Sequence, residues 1–196
     1  SKRSVGTEIE WKGNVYTVEE LTHDSFHGVD IALFSAGGAA SKEFAPSAAA
    51  SGCVVIDNSS AWRMHPDVPL VVPEVNPHTL TNHHGIIANP NCSTIQLVMA
   101  LKPIDEAFVL KRVVVSTYQS VSGAGQKGVD HLTAEIENRE PVSRISPHLI
   151  AYNAVFHSFI DDSGFSEEEI KVRRETRRIL ELPDLRVAVT CVRVPV

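Results

Sequence analysis

Apolar and polar positions alternate over short stretches of the chain and predict a mixture of strands and helices. Apolar stretches bounded by turn-forming residues predict strands at 29–35, 53–57, 70–72, 85–88, 112–118 and 185–194. Helix-like composition occupies 41–50, 92–101, 128–139 and 167–182, the first of these despite Pro46. The last helix is the best marked, because Ser166 and Glu169 have the spacing of a capping box.

The order of these elements predicts an α/β fold. A strand, a Gly-containing turn, a helix and a second strand follow one another between residues 29 and 57, which is the pattern of a βαβ unit with a parallel sheet. Near Asn89-Pro90-Asn91 this alternation gives way to longer helices and strands. We therefore expect two domains, residues 1–91 and 92–196.

Composition narrows the class of protein. The 196 residues are 43% hydrophobic and 21% charged, as in ordinary globular domains. The net charge of −6, without a long block of one sign, disfavours nucleic acid or an anionic membrane as a partner. No apolar stretch predicts a membrane span or a signal peptide. Three cysteines without C-x-x-C spacing favour a reduced, cytoplasmic setting, and the nine histidines show no metal-binding pattern.

Cys92 is the strongest candidate for chemistry. It follows a strand and the tight turn Asn89-Pro90-Asn91, and it falls in the first turn of the next helix. The free N–H groups and the positive end of the helix dipole favour a thiolate there, as a nucleophile requires. A small buried residue that starts a helix is the simpler alternative. Cys53 and Cys191 lie in strand-like stretches and are expected to pack in the core.

Other polar residues are ambiguous when taken alone. The Gly-rich segment 120–128 follows a predicted strand, where it can approach a ligand or be only a turn. Glu168 and Lys171 share a helix face that Glu175 extends, and a solvated ion-pair face is the simpler interpretation. Arg193 lies in an apolar strand and needs a buried or ligand anion. His148 and His157 fit either a polar core or a site.

Together the motifs resemble the aspartate-β-semialdehyde dehydrogenase family. Asn89-Pro90-Asn91-Cys92-Ser93-Thr94-Ile95-Gln96 is similar to its active-site motif. Six further segments resemble family blocks in the same order: 1–6, 34–38, 60–64, 71–76, 118–125 and 191–196. The resemblance implies a Rossmann-type NADP-binding domain joined to an α/β catalytic and dimerisation domain. It also implies a homodimer that interconverts aspartyl phosphate and aspartate semialdehyde through a cysteine thioester, for the biosynthesis of Lys, Met, Thr and Ile.

The resemblance also implies roles for individual residues. Cys92 would be the nucleophile, Gln119 would orient the substrate, Arg193 would bind its carboxylate and Glu168 would face its amine. The substrate's phosphate would be held by Arg63, Asn91 and Lys171. NADP would meet Arg3 and Ser4 at its 2′-phosphate, and its remaining contacts would be Ser35, Gly37, Gly38, Ser122 and Gly123.

Two departures from the family pattern concern the ends of the chain. Family members have a strand and a Gly-rich turn before the Arg3-Ser4 block, and an acid/base histidine shortly after the strand that ends near Val196. We therefore expect a chain truncated at both ends, whose own activity and NADP binding are uncertain. The segment 156–159 also differs from the family's Ile-Pro-His run.

Two alternatives remain open. N-acetyl-glutamyl-phosphate reductase performs the same thioester chemistry, but its cysteine usually follows Asn-Pro-Gly, and the pair Glu168 and Lys171 favours a substrate with a free amine. The second alternative is a catalytically incompetent fragment or structural subunit of the same fold. Glyceraldehyde-phosphate dehydrogenase fits less well, because its Ser-Cys-Thr-Thr block is absent.

Overall fold

A computed structural model describes residues 4–157 and 164–196 and divides the chain into two compact units, Ser1–Pro90 and Asn91–Val196. Asn91, which the sequence analysis assigned to the first domain, thus belongs to the second unit. No helix in the described ranges is long and apolar enough to cross a membrane.

The first unit begins with a β-hairpin that the sequence analysis missed. Strands β1 (Glu8–Trp11) and β2 (Asn14–Thr17) pair antiparallel, and all their residues are exposed. Lys12 and Gly13 both have positive φ, 49° and 78°, as a two-residue hairpin turn requires. The sequence signal for this hairpin is the alternation of apolar and polar residues on both sides of Lys12-Gly13. It is easily missed, because both strands are exposed and lack a continuous apolar run.

A three-stranded parallel sheet forms the centre of the first unit. Strands β3 (Ile31–Phe34), β4 (Val54–Asp57) and β5 (Ile86–Ala88) lie in that order, and helix α1 (Gly38–Ala50) connects the first two. This arrangement confirms the predicted βαβ unit. Helix α1 continues through Pro46, which has no N–H to donate to the carbonyl one turn earlier. Because Pro46 lies on the exposed side of the helix, that carbonyl can face solvent instead.

The predicted strand at 70–72 is wrong. Leu70 makes only an isolated parallel bridge to Ala88, although residues 70–72 are all buried. The N–H of Val72 donates to Oδ1 of Asn76 at 2.9 Å instead of to a neighbouring strand. Pro69 and Pro73 flank the segment and supply no N–H, which confines sheet pairing to one bridge. A 3₁₀ helix follows at Pro77–Asn82.

The second unit contains a mixed sheet with a long central strand. Strand β6 (Arg112–Ser120) pairs in parallel with β8 (Arg186–Val194), and the short β7 (Val155–Phe156) pairs antiparallel with the other edge of β8. The helices are α2 (Cys92–Phe108), α3 (Gln126–Ile136) and α4 (Glu167–Ile179), with a 3₁₀ helix at Val121–Ala124. Helix α2 extends beyond its predicted end at residue 101. The exposed Pro103 removes a backbone hydrogen bond but does not end the helix.

The predicted capping box of helix α4 is confirmed. Ser166 Oγ accepts from the N–H of Glu169, while Glu169 Oε2 accepts from the N–H of Ser166 at 2.7 Å. The other carboxylate oxygen of Glu169 accepts from the N–H of Cys191 at 3.1 Å. The buried Glu169 therefore both begins α4 and attaches it to β8.

A buried histidine and a buried carboxylate hold a loop onto helix α3. His131 Nδ1 accepts from the N–H of Ile145, and its Nε2 lies 2.9 Å from Glu135 Oε1. Glu135 Oε2 accepts from the N–H groups of Ile150 and Ala151 at 2.8 and 2.9 Å. Burial raises the pKa of Glu135, but the two amide donors and His131 outweigh it and bring that pKa below its ordinary value.

Replacing Glu135 should therefore destabilise the second unit in a pH-dependent way. At pH 7, Glu135→Gln should lower the free energy of unfolding in urea by about 1–3 kcal/mol, because a charged acceptor of two amides is lost. The lowered pKa provides stability above the unfolded value of about 4.3, and this stability is lost as the pH falls through the folded value. The difference between wild type and variant should thus shrink in acid.

The matched control is Glu137→Gln, at an exposed residue that pairs with Arg139 on the surface. It should change stability by less than about 0.5 kcal/mol. Equal stability of Glu135→Gln and wild type at pH 7 would contradict the stabilising role of Glu135.

Candidate active site

The backbone places Cys92 at the first position of helix α2, as predicted, with an exposed thiol. Asn91 is the N-cap: its Oδ1 accepts from the N–H groups of Ser93 at 2.9 Å and Thr94 at 3.3 Å. Asn91 is itself buried. The first turn of α2 is thereby fixed by a side chain, and the thiol is held on an ordered backbone.

Glu168 and Gln119 come together beside this turn. Asn91 Nδ2 donates to Glu168 Oε1 at 2.8 Å. Gln119, near the end of β6, donates from Nε2 to Ser93 Oγ at 2.8 Å and to Glu168 Oε1 at 3.3 Å. Three residues singled out in the sequence therefore share one hydrogen-bond network next to Cys92.

Arg193 lies opposite Gln119 in the ladder between β6 and β8. Its Nη1 donates to the carbonyl of Ser120 at 2.9 Å, and its Nη2 lies 3.4 Å from His157 Nδ1. Since a guanidinium only donates, His157 Nδ1 accepts. Within residues 4–157 and 164–196, no carboxylate forms a salt bridge with Arg193. Among the described residues, its guanidinium is therefore held by a carbonyl and an imidazole nitrogen, and the anion expected from its sequence environment stays a prediction.

The electrostatics of this region agree with that interpretation. Burial lowers the pKa of Arg193, while Glu168 and Cys92 act in the opposite direction. Burial and the positive charge of Arg193 lower the pKa of His157, with Glu168 opposing them, so that the imidazole is neutral at neutral pH. Arg193 is thus a half-buried cation held by neutral acceptors, an arrangement suited to a carboxylate ligand.

Two cavities meet at Gly123. One, of about 570 Å³, is lined by residues that include Cys92, Gln119 and Ser122. The other, of about 270 Å³, is lined by residues that include Glu168, Lys171 and Arg193. Lys171 Nζ lies 2.8 Å from Glu167 Oε1 and 3.9 Å from Glu168 Oε2. The second cavity therefore presents charges of both signs.

The remaining predicted site residues lie in the first unit or outside the described residues. Arg63 is buried and donates to the carbonyls of Asn89 at 2.9 Å and Asn58 at 3.0 Å, beyond the carboxyl ends of β5 and β4. Ser4, Ser35, Gly37 and Gly38 also belong to the first unit, and Arg3 lies outside the described residues.

Gly37 has a property that suits close approach by a ligand. It is the N-cap of α1 with φ of 90°, a backbone conformation that favours glycine. No atom of the described residues lies within 4 Å of the position of an added Cβ. Within the described ranges no side chain caps α1, so its first-turn N–H groups and positive dipole end suit an anion such as a cofactor phosphate.

Glu175 has a structural role that its sequence pattern did not predict. Its side chain is not part of a solvated face, because only 2% of the residue is exposed and Oε2 accepts from the N–H of Asn91 at 2.6 Å. Glu168 has a side chain only 12% exposed, so the solvated interpretation is wrong for it as well. The seven-residue spacing of Glu168 and Glu175, which puts both on one face of α4, was the available signal.

The other two cysteines lie in the interior, as predicted. Cys53 is 1% exposed and Cys191 is 0% exposed. Burial raises the pKa of both thiols, with a further contribution from Asp30 at Cys53. His148 is exposed, whereas His157 lines the cavity with Arg193.

Two family models match successive parts of the chain. Residues 1–83 match the model described as "Semialdehyde dehydrogenase, NAD binding domain", and residues 101–196 match "Semialdehyde dehydrogenase, dimerisation domain". The chain belongs to the semialdehyde dehydrogenase family. This membership confirms the resemblance inferred from the motifs.

Curated and solved relatives within the semialdehyde dehydrogenases carry a more specific name. The aspartate-semialdehyde dehydrogenase of Aquifex aeolicus is 55% identical over the whole chain, which spans 60% of that protein. Aspartate semialdehyde dehydrogenase II of Vibrio cholerae, solved in complex with ASA, is 43% identical with a TM-score of 0.93, over the whole chain and 60% of that structure.

A more distant relative was solved with a cofactor. The aspartate semialdehyde dehydrogenase of Candida albicans, solved with NADP, is 25% identical with a TM-score of 0.70, over the whole chain and 59% of that structure. The chain thus spans about 60% of the length of these relatives.

Proposed function

We propose that this chain provides the nucleophile and substrate-binding groups of an NADP-dependent aspartate-semialdehyde dehydrogenase. The observation that carries the proposal is the hydrogen-bond network of Asn91, Ser93, Gln119 and Glu168 beside Cys92. The half-buried cation Arg193 lines the neighbouring cavity together with Glu168. The names of the relatives support the same activity. The proposed role of this activity is in the biosynthesis of Lys, Met, Thr and Ile. A thiol nucleophile requires a reduced setting, so we also propose a cytoplasmic location.

Each group of the network has a role in the reaction. Cys92 Sγ attacks the aldehyde carbon of aspartate semialdehyde and forms a thiohemiacetal. When bound, NADP would supply the hydride acceptor for that carbon, and loss of the hydride together with the hydroxyl proton would leave a thioester on Cys92. Phosphate then attacks the thioester carbon, the thiolate leaves, and aspartyl phosphate is released. Gln119 is placed to orient the substrate beside the thiol.

The charged cavity fits the rest of the substrate. Aspartate semialdehyde carries one carboxylate and one ammonium group, and the cavity supplies the guanidinium of Arg193 and the carboxylate of Glu168. Lys171 and Arg63 are the proposed phosphate-binding cations. Asn91 is included among the proposed phosphate contacts, although its side chain already caps α2 and binds Glu168.

The proposed NADP contacts divide between the two units. Gly37 and Gly38 begin α1, where an uncapped helix terminus suits a phosphate, and Ser35 precedes them. Ser122 and Gly123 line the cavity that contains Cys92. Arg3 and Ser4 are the proposed contacts of the 2′-phosphate. The description of the matching model as an NAD-binding domain supports a dinucleotide in the first unit.

An activity assay separates this function from its alternatives. The protein, expressed from its full reading frame, should reduce NADP with aspartate semialdehyde and phosphate, and should do so poorly with N-acetyl-glutamate semialdehyde. Cys92→Ala should lower phosphate-dependent turnover by at least about 10³-fold, because the covalent route is lost. The control Cys53→Ala, at a buried residue of the first unit, should retain activity.

The contrary results are equally specific. A preference for the acetylated substrate would identify an N-acetyl-glutamyl-phosphate reductase. Absence of turnover with both substrates in a folded wild-type protein would favour a structural subunit.

We further propose that the second unit forms a homodimer through one face of its sheet. Residues at alternate positions of β6 and β8, among them Val114, Ser116, Ala188 and Thr190, are exposed on the face opposite Arg193. Val114 is 67% exposed, and Phe156 on the neighbouring β7 is 58% exposed. An exposed apolar sheet face is typical of a protein interface, and the matching model is described as a dimerisation domain.

A charge on this face tests the dimer. Val114→Asp in the full-length protein should shift the mass measured by light scattering from two chains towards one, because an isolated carboxylate is costly to bury. Val15→Asp, at an equally exposed position of the β1–β2 hairpin, should leave the dimer intact. A Val114→Asp protein that stays dimeric at low micromolar concentration would place the interface elsewhere.

A further inference from the structure

Glu175 is a buried carboxylate without a role in the proposed chemistry. It lies on α4, is 2% exposed and is absent from the lining of the two cavities at Gly123. Burying a carboxylate costs free energy unless it accepts strong hydrogen bonds. The contact of 2.6 Å from the N–H of Asn91 to Oε2 is such a bond.

The position of that bond connects Glu175 to the thiol. The N–H of Asn91 precedes helix α2 and makes no helical hydrogen bond. Glu175 therefore fixes the main chain one residue before Cys92, while Glu168 fixes the Asn91 side chain through Nδ2. Glu168 and Glu175 lie two turns apart on the same face of α4. Helix α4 thus holds the N-cap of α2 at two points.

We propose that Glu175 is a positioning residue for Cys92. By holding the main chain of Asn91, Glu175 fixes the orientation of the first turn of α2. In this orientation Ser93 accepts a hydrogen bond from Gln119, and Cys92 lines the cavity that Gln119 also lines. The proposal rests on the proposed function only in taking Cys92 as the reacting group. A small displacement of a reacting group can cost up to about 10²-fold in rate.

The charge and the acceptor of Glu175 act in opposite directions on the thiol. A negative charge near Cys92 disfavours the thiolate, whereas an ordered helix N-terminus favours it. Glu175→Gln removes the charge and keeps an acceptor of the same reach. Glu175→Met also removes the charge but leaves no acceptor of comparable strength. A comparison of these two neutral variants therefore tests the role of Glu175 as a hydrogen-bond acceptor, independently of its charge.

The experiment measures the rate at which iodoacetamide alkylates Cys92 in the full-length protein, by peptide mass spectrometry, from about pH 6 to about pH 9. Glu175→Gln should react at a rate within about threefold of wild type. Glu175→Met should react about tenfold more slowly than Glu175→Gln at neutral pH. Glu175→Asp, whose shorter side chain does not reach Asn91, should also react slowly despite its charge.

Cys53 and Cys191 report on the integrity of the fold in the same samples, because both are buried. Their labelling should stay slow in all variants. Equal Cys92 rates for Glu175→Gln and Glu175→Met, or labelling of Cys53 and Cys191 that rises as Cys92 changes, would overturn the positioning role. If Glu175→Met does not fold, a Glu175→Asp protein that reacts like wild type overturns it instead. Alkylation needs no substrate, so a failed dehydrogenase assay leaves this test unaffected.

Discussion

The main chain and side chain of Asn91 together tie the reactive turn to the rest of the second unit. Its N–H donates to Glu175, its Nδ2 donates to Glu168, and its Oδ1 accepts from two amides of the first turn of α2. The orientation of Cys92 depends on Asn91, because each of these four hydrogen bonds either lies within the first turn of α2 or attaches that turn to α4.

Helix α4 extends the same constraint to the substrate cavity. Glu168 joins Asn91 to Gln119, and Glu169 binds the N–H of Cys191 on β8, two residues before Arg193. One helix thus holds the thiol on α2 and the strand that carries the guanidinium. Glu168 and Glu169 near its N-terminus would be solvated on an ordinary surface helix, but here they accept hydrogen bonds from Asn91, Gln119 and the N–H of Cys191.

The sequence predicted the local features of this arrangement better than the long-range ones. The capping box at Ser166 and the helix start at Cys92 were predictable because each depends on residues close in the chain. The burial of Glu175 was missed, because its acceptor role needs Asn91, 84 positions away in the chain. Its seven-residue spacing from Glu168 indicates a shared helix face but not what covers that face. The strand predicted at 70–72 does not form, because Pro69 and Pro73 flank the apolar residues and supply no N–H for pairing. The β1–β2 hairpin was missed because its residues are exposed.

The central claim is that Cys92 forms a covalent thioester with the substrate. The direct test is to mix the full-length protein with aspartate semialdehyde and NADP without phosphate, quench in acid and map the modified peptide by mass spectrometry. We predict an aspartyl group on Cys92 that hydroxylamine removes and that added phosphate prevents from accumulating. An unmodified Cys92 after a measured burst of NADPH, or an adduct on another residue, would contradict this account.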